Sequence, residues 1–362
     1  MNKITELRVN RGNFRETKIV ECDAPALGEN EILVRIDKFG LTANNVSYAV
    51  SGDMIGYWKF YPAADPFGNV PVWGMADVIQ SSSDEIVVGE RLWGFFPMAS
   101  HAILTVGKVR GDHFMDATPR RKELPTLYNQ YRRTKGEPDF LHSLEDERCL
   151  LFPLFMTSYV LYDYLRDNDF FGAEQVLVGS VSSKTGFGLA KFLRDDPDVR
   201  QKIVGITSQN NTGFVERLNC CDQIVTYGNE AEISQSVPAA YIDMSGNGSL
   251  TAKLHTHLGE NMLESCMVGA THWEAARRSD KSLPGARPAF FFAPAQIEKR
   301  DKEWGPGVLF SKAGVAGARV ATSIKDDIRI ERINGASDTA AIWKDMLDNK
   351  VSPSRGIMAS LK

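Results

Sequence analysis

The chain has 362 residues, of which 43% are hydrophobic and 24% charged, and its formal net charge is −4. This composition excludes a disordered or fibrous protein, and a chain of this length is expected to form two domains. The acidic balance gives no reason to expect a nucleic-acid partner, because binding to a duplex needs a concentrated basic surface.

The N-terminal segment MNKITELRVN lacks the apolar core of a signal peptide, and the longest apolar runs, such as LLFPLF, are too short to cross a bilayer. The five cysteines include no CxxC pair, and Cys220 and Cys221 are adjacent, which is poor geometry for an ordinary disulfide. An odd number of scattered thiols is typical of a reducing compartment. The sequence therefore predicts a cytoplasmic protein that does not associate with membranes.

The N-terminal region, up to about residue 110, is predicted to be rich in β-strands. In EILVRIDKF, Ile32, Val34 and Ile36 alternate with Arg35 and Asp37, as they would in a strand with one solvated face. Glycine and proline separate the other apolar runs, in PALGEN, YPAADPFGNVP and VVGER. This spacing predicts an antiparallel barrel.

Residues 111–150 differ from this pattern, since they are polar, basic and compatible with helices. We interpret them as a helical insertion in the barrel. Their basic cluster, RRK at 120–122 with Arg132 and Arg133, is expected to be a solvated face rather than a polyanion site.

From residue 151 onward, short apolar strands alternate with helices. The predicted strands are QVLVGS, KIVGITS, QIVTY, AYIDMSG and SCMVGAT, and the predicted helices between them are GLAKFLRD, TGFVERLN and SLTAKLHTHLG. Strands that are apolar on both faces and alternate with helices predict a parallel, doubly wound sheet. After residue 295 the pattern is mixed again, with a helix at DTAAIWKDMLDN and a closing strand at RGIMASL.

The first turn of this sheet, SVSSKTGFGLA, joins a strand to a helix. A helix that begins after a buried strand presents free N–H groups and the positive end of its dipole, which suits a pyrophosphate. Only Gly186 and Gly188 are present, and Ser183, Lys184 and Thr185 stand where small residues and another glycine are usual. The turn alone therefore leaves open a cofactor loop and a plain structural connection.

Several segments together resemble the medium-chain dehydrogenase/reductase superfamily, in its zinc-free quinone-oxidoreductase and enoyl-reductase branch. VPVWGMADVIQ followed by VVGERLWGF is similar to the barrel segment of that branch, and VSSKTGFG is similar to its Ala-Ala-Gly-Gly-Val-Gly loop. LTANN, SSKT and FFFAPAQI resemble more closely a subgroup of unassigned function. The resemblance implies a GroES-like β-barrel catalytic domain, 1–155 with 296–362, and a Rossmann dinucleotide-binding domain, 156–295.

The resemblance also implies which residues bind a dinucleotide, most of them small or hydroxylated and at strand ends. They are Thr157, Ser180, Ser182, Ser183, Lys184, Thr185, Gly186, Ser208, Asn211, Tyr227, Ser245, Gly246, Gly269 and Thr271. NAD selectivity normally needs a carboxylate after the second strand, and the SQNN that follows KIVGIT is neutral. NADP(H) is therefore the expected cofactor, with Lys184 as the cation for its 2′-phosphate; a pyrophosphate contact or a solvent-facing lysine remains an alternative.

Zinc is not expected. LTANN replaces the cysteine ligand of the zinc-dependent relatives, GMAD replaces their His-Glu pair, and the four-cysteine lobe is missing. His255 and His257 lie two residues apart on a predicted helix, so they point to different faces and cannot share an ion. Both are expected on the surface.

Candidate catalytic residues follow the third strand. Asn44 and Asn45 resemble the asparagine that faces the nicotinamide in this branch, and Tyr48 is the candidate proton donor. A core tyrosine with a satisfied hydroxyl is the alternative for Tyr48. The nearby aromatic residues are expected either to line a flat substrate site or to form barrel core: Tyr57, Trp58, Phe60 and Tyr61.

These features predict an NADP(H)-dependent oxidoreductase that reduces a quinone, an enone or another activated double bond of a small molecule. The altered glycine loop favours an alternative, a cofactor-binding sensor or structural protein without turnover. A methyltransferase is disfavoured, because TSQNN lacks the acidic residue that would hold the ribose of its cofactor. The apolar segment PAFFFAPAQI predicts a homodimer formed through a strand at 289–297, unless that strand is buried within one chain.

Overall fold

The computed structural model describes residues 3–268 and 283–362, which form two compact units. The first unit contains the residues up to Leu150 together with Arg329–Lys362, and the second contains Leu151–Ile328. The chain therefore leaves the first unit once and returns to it.

The strands are numbered here in chain order. They are β1 (Lys3–Asn10), β2 (Asn13–Asp23), β3 (Glu31–Leu41), β4 (Phe67–Gly68), β5 (Pro71–Ser81), β6 (Arg91–Pro97), β7 (His101–Gly107), β8 (His113–Asp116), β9 (Gln130–Arg133), β10 (Gln175–Gly179), β11 (Lys202–Thr207), β12 (Gln223–Thr226), β13 (Ala239–Asp243), β14 (Met262–Met267), β15 (Ala289–Phe290), β16 (Arg329–Asn334) and β17 (Arg355–Ser360).

The α-helices, also in chain order, are α1 (Ala43–Val50), α2 (Gly52–Ile55), α3 (Glu145–Leu150), α4 (Phe152–Asp167), α5 (Lys184–Asp195), α6 (Thr212–Leu218), α7 (Gly248–Leu258), α8 (Ala293–Trp304), α9 (Val308–Ser323) and α10 (Ala336–Leu347). Short 3-10 segments lie between them, at Tyr57–Lys59, Pro119–Arg121, Thr126–Asn129, Thr134–Gly136, Asp139–Leu144, Asp169–Gly172, Gln209–Asn211, Glu230–Glu232 and Gly259–Asn261. Within residues 3–268 and 283–362, no helix combines the length and apolarity that crossing a bilayer requires.

A closed antiparallel barrel forms the centre of the first unit. Its strands follow the order β3-β5-β6-β9-β8-β7, and β7 closes the barrel by pairing again with β3. Along β7, buried and half-buried residues alternate, as the period of two in a strand requires. The returning chain adds β17 antiparallel to β3 and β16 parallel to β17. The predicted GroES-like barrel is confirmed.

The segment 111–150 is more closely integrated with the barrel than the sequence predicted. It supplies strands β8 and β9, and α3 is the α-helix it forms. In β9, Tyr131 is buried beside Gly94, where a side chain would overlap the tyrosine ring. The prediction that the basic cluster is solvated is wrong for Arg121 and Arg133. Both are buried, because each has a carboxylate partner, Asp116 at 3.1 Å and Glu90 at 2.8 Å respectively.

The second unit contains a parallel sheet in the order β12-β11-β10-β13-β14-β15. This is the doubly wound order 3-2-1-4-5-6, in which the strand order reverses between β10 and β13. Every residue of β10 and β13 is buried, as expected for strands covered on both faces. The predicted Rossmann sheet is confirmed. Each of the five strands that the sequence predicted for it is present within the described residues, as β10 to β14.

The residues between 296 and 328 lie in the second unit, whereas the sequence analysis assigned them to the catalytic domain. Helix α8 is attached to α4 by a largely buried polar contact. The Arg300 guanidinium lies 2.7 Å from the Asp163 carboxylate and 3.0 Å from that of Asp167, and Gln296 donates to Asp163 over 2.6 Å. Long-range pairing of this kind has no periodic signature in the sequence, so the mixed patterning after 295 was misread.

The predicted strand at 289–297 is wrong in its extent. Only Ala289 and Phe290 form a strand, β15, which pairs with β14, and helix α8 begins at Ala293. Pro294 suits the first turn of a helix, and the Gln, Glu, Lys and Arg residues that follow are good helix formers. Phe290 and Phe292 are 50% and 63% exposed.

The expectation that His255 lies on the surface is also wrong. Its imidazole is fully buried, with Nε2 2.9 Å from the Ser265 hydroxyl and Nδ1 2.8 Å from the Pro284 carbonyl oxygen. Burial lowers the pKa of His255 below its usual value. His257 is half-buried, and its Nε2 lies 2.7 Å from the Ile233 carbonyl oxygen. Both histidines thus connect elements of the second unit.

Helices α4 and α5 pack closely at Gly188, and this contact can be tested. A Cβ on Gly188 would lie 2.7 Å from Phe155 and from Ser158, whereas a Cβ on Gly314 in α9 would meet nothing within 4 Å. Gly188→Ala should lower the free energy of unfolding by about 1–3 kcal/mol through overpacking. Gly314→Ala should raise it by about 0.5–1 kcal/mol through helix propensity. Urea denaturation measures both, and the same sign for the two variants would contradict this account.

Candidate functional site

The turn between β10 and α5 is built from short polar residues. Ser180 follows β10 with a positive φ of 52°, a conformation that is uncommon for residues other than glycine. Ser183 is the N-cap of α5, and its hydroxyl accepts from the Gly186 N–H over 3.1 Å. A Cβ on Gly186 would lie 2.6 Å from the Ser180 carbonyl oxygen, so only glycine fits this turn. The loop therefore closes tightly without the usual glycines in its first half.

Helix α4 contacts the same turn through Ser158, a residue that the sequence analysis did not select. Its hydroxyl lies 2.8 Å from the Thr185 carbonyl oxygen and 3.0 Å from that of Leu154. The neighbouring Thr157 is half-buried. The sequence signal that could have identified Ser158 is a hydroxylated residue directly after Thr157. In the structure it faces the small residue Gly188.

Hydroxyl and amide groups meet at the carboxyl ends of β10 and β11. The Ser182 hydroxyl accepts from Thr207 Oγ1 over 3.0 Å and from Asn211 Nδ2 over 3.2 Å. Ser208, between them in the chain, is half-buried and begins the short segment Gln209–Asn211. This group contains no carboxylate. Sequence analysis identified Ser182, whose hydroxyl joins the group, and Asn211, but missed Thr207, the other donor to Ser182.

Tyr227, after β12, lies next to this group. Burial raises the pKa of Tyr227, while hydrogen bonds with the side chain and backbone of Ser180 lower it. The ring is 41% exposed, so it remains accessible at this edge of the sheet. The structure therefore brings Ser180, Ser182, Asn211 and Tyr227 to neighbouring strand ends of one sheet.

The loop after β13 is organised by Asp243, which the sequence analysis also missed. Its buried Oδ1 accepts from the N–H and hydroxyl of Ser245, both at 2.8 Å, and from the Gly246 N–H at 3.0 Å. The donors of Ser245 and Gly246 are thus used to hold the loop. Two further predicted residues, Gly269 and Thr271, lie outside the described residues, as does His272.

Lys184 is the first residue of α5 and is half-buried. Burial lowers the pKa of its ammonium group to about 8. A cation at a helix N-terminus also faces the positive end of the helix dipole, which makes a nearby anion favourable.

In the first unit, the two adjacent asparagines have different environments. Asn45 is buried, with Oδ1 accepting from the Thr42 N–H at 2.8 Å and Nδ2 donating to the Pro71 carbonyl oxygen at 3.0 Å. Its amide therefore caps α1 and ties it to β5. Asn44 is half-buried and lies near the Tyr48 hydroxyl, where its side chain lowers the pKa of Tyr48 against the larger effect of burial.

Tyr48 lies in a cluster of aromatic rings. Its hydroxyl accepts from Trp73 Nε1 at 3.2 Å, and the residue is 5% exposed. Burial, followed by the proximity of Tyr128, raises the pKa of Tyr48 well above its usual value. Tyr128, which lies within the segment 111–150, also exchanges a hydrogen bond of 2.9 Å with Tyr57. Nothing in the sequence signalled that this segment would deliver a third tyrosine.

The other aromatic candidates are mostly barrel core. Tyr57, Trp58, Phe60 and Tyr61 are each at most 7% exposed and belong to the main apolar cluster of the first unit. Trp58 also lines a cavity. Among residues 3–268 and 283–362, no three His, Cys, Asp or Glu side chains are grouped so that they could hold a metal ion.

Solved structures share this fold at low sequence identity. The quinone oxidoreductase from Coxiella burnetii is 15% identical to this chain. The alignment covers 100% of each chain, and the TM-score is 0.54. CurA from Vibrio vulnificus, in complex with NADPH, is 12% identical over 100% of this chain and 99% of its own, with a TM-score of 0.61. The yhdH oxidoreductase from Salmonella enterica, in complex with NADP, is 14% identical over 99% and 100%, with a TM-score of 0.54.

The chain thus has the fold of the medium-chain quinone oxidoreductases and enoyl reductases, a barrel joined to a Rossmann sheet. Residues 39–352 match the family described as "Protein of unknown function (DUF2855)", and the protein belongs to that family. No curated protein matches the chain.

Proposed function

We propose that this protein is a zinc-independent, NADP(H)-dependent oxidoreductase that transfers hydride to a quinone, an enone or another activated double bond. The observation that carries the proposal is the carboxylate-free group of Ser182, Thr207 and Asn211 at the end of β11. A ribose-binding carboxylate occupies this place in NAD-selective Rossmann domains. The NADPH and NADP bound to CurA and the yhdH oxidoreductase support the same cofactor.

The residues present fit a dinucleotide. The N-terminus of α5 suits a pyrophosphate, and Gly186 leaves no side chain in the tight turn beneath it. Ser180, Asn211 and Tyr227 offer neutral hydrogen-bonding groups to a phosphorylated ribose, with Lys184 as the cation. Ser183, Thr185 and Thr157 would stand beside the pyrophosphate. Ser245 and Gly246 would serve indirectly, since their donors hold the loop after β13.

In catalysis the nicotinamide supplies the hydride when bound, and the barrel supplies the polar groups. Tyr48 is the candidate proton donor, and its raised pKa keeps its hydroxyl protonated at neutral pH. Asn44, which lies near the Tyr48 hydroxyl, would orient it. Asn45 would position α1 rather than contact the nicotinamide, because its amide is already bonded on both sides.

One observation favours the alternative of a cofactor-binding sensor or structural protein without turnover. The Tyr48 hydroxyl is buried and already accepts from Trp73, as a purely structural tyrosine would. In that case NADPH binds and no quinone or enone is reduced.

Lys184→Ala tests the cofactor assignment. A contact with the 2′-phosphate predicts a loss of about 1.5–3 kcal/mol in NADPH binding, the range for a charge-assisted hydrogen bond, with NADH binding almost unchanged. Since the ammonium group loses its proton as the pH rises through its pKa of about 8, NADPH affinity should fall above that pH in the wild type but not in the variant. Titration calorimetry measures both. Equal losses for NADPH and NADH would assign Lys184 to the pyrophosphate instead.

Tyr48→Phe tests the catalytic assignment. If Tyr48 donates the proton, turnover should fall by roughly 100-fold or more while NADPH affinity hardly changes. Tyr131→Phe is a matched control, because it also removes a buried hydroxyl, one that donates to the Phe95 carbonyl oxygen over 2.7 Å. Steady-state NADPH oxidation over a panel of quinones and enones measures the effect. Full activity of Tyr48→Phe would remove this residue from the mechanism, and no activity in the wild type would support the non-catalytic alternative.

We also propose a homodimer formed through residues 289–297. Within the described residues, the short strand β15 is an edge strand of the sheet. Phe290 and Phe292 are 50% and 63% exposed there. An exposed apolar sheet edge is a site of association unless it is covered. Sedimentation at micromolar concentration should give twice the mass of the chain, and Phe290→Lys with Phe292→Lys should give the monomer. A monomeric wild type would exclude the dimer.

A further inference from the structure

A cavity of about 360 Å³ opens in the first unit, away from the residues assigned above. This volume is within the range of small-molecule sites. The walls include apolar groups from Trp58, Pro62, Ala63 and Phe67. The cavity therefore has the apolar lining of a ligand site.

The indole of Trp58 is held rigidly in the wall of the cavity. A Cβ on Gly52 would overlap its Nε1, and a Cβ on Gly68 would overlap its Cε3. Two backbone segments thus approach the ring so closely that only glycine is accommodated at either place. Within the described part of the chain, the Trp58 N–H donates no hydrogen bond. Trp58 is only 6% exposed, so it borders the cavity with a small part of its ring and fixes the position of that wall.

Cationic side chains also line the cavity. The Arg11 guanidinium pairs with two carboxylates, Asp53 and, at 3.0 Å, Asp65. Lys59 and Arg120 are exposed and form no ion pair with any described carboxylate. The contacts of the Arg120 guanidinium are long ones, 3.4 Å from Nε and from a terminal nitrogen to the Phe60 carbonyl oxygen. These two residues and Arg11 give three cations against the two carboxylates of Asp53 and Asp65, so this part of the cavity keeps a net positive charge beside its apolar wall.

We propose that this cavity binds a small organic anion, with its apolar body against Pro62, Ala63 and Phe67 and its carboxylate facing Lys59 and Arg120. The apolar wall favours a ligand with an apolar body, and the two cations favour a ligand with a carboxylate. A ligand therefore needs both features to bind tightly. The site does not depend on the proposed oxidoreductase activity, because none of the residues that line it is proposed above to bind the cofactor or to act in catalysis.

Calorimetric titration of the full chain with three probes tests the proposal. Benzoate carries both features, benzyl alcohol carries the flat body without the charge, and inorganic phosphate carries charge without the body. Benzoate should bind saturably and at least about tenfold more tightly than either of the others, as a charge-assisted contact on an apolar surface predicts. Absence of saturable benzoate binding, or equally tight binding of phosphate, would overturn the proposal.

Two variants locate the site. Lys59→Ala combined with Arg120→Ala should weaken benzoate binding by about tenfold or more and leave benzyl alcohol unchanged. Ala63→Leu, which fills the cavity from its half-buried wall, should weaken both. Lys122→Ala removes an exposed cation outside the lining and should change nothing. Benzoate binding that survives both cavity variants would place it elsewhere and refute the assignment.

Discussion

The close approach of α5 to α4 is the constraint on which the proposed cofactor site depends. Gly188 permits it, since any side chain there would meet Phe155 and Ser158 at 2.7 Å. The Ser158 hydroxyl then bonds the Thr185 carbonyl oxygen within the first turn of α5. Together these contacts fix where α5 begins at the carboxyl end of β10. The direction of the helix dipole, and with it the position of Lys184, follows from this packing.

The barrel depends on a different kind of interaction, buried ion pairs between arginines and carboxylates. Arg121 lies 3.1 Å from Asp116 and stacks 4.6 Å above the Tyr61 ring, and Arg133 pairs with Glu90. Such pairs add little net stability, but losing one partner leaves an uncompensated charge, so they resist rearrangement. They hold β8, β9 and the segment between them on the barrel, and that segment brings Tyr128 to the aromatic cluster.

The candidate site was predictable at the level of residue type but not of role. Small and hydroxylated residues at strand ends predicted that these side chains would meet at one edge of the sheet, because parallel strands align their carboxyl ends. The sequence did not show which of these residues has which structural role. Adjacent Asn44 and Asn45 differ only in which one the fold buries, and Ser245 is engaged by Asp243, whose function as a loop anchor arises from the three donors around it.

The sequence by itself determined five strands of the sheet in the second unit, and in the barrel the strand β3, because apolar runs and alternation report directly on burial at short range. Tertiary structure decided what depends on distant partners. The helix that follows Phe292 begins at a local signal, Pro294, but its place against α4 depends on Arg300 and Gln296 bonding Asp163. His255 became a core residue through Ser265 and Pro284. A polar side chain is buried only where it finds a hydrogen-bonding or charged partner. That partner is distant in the chain, so the local sequence does not identify it.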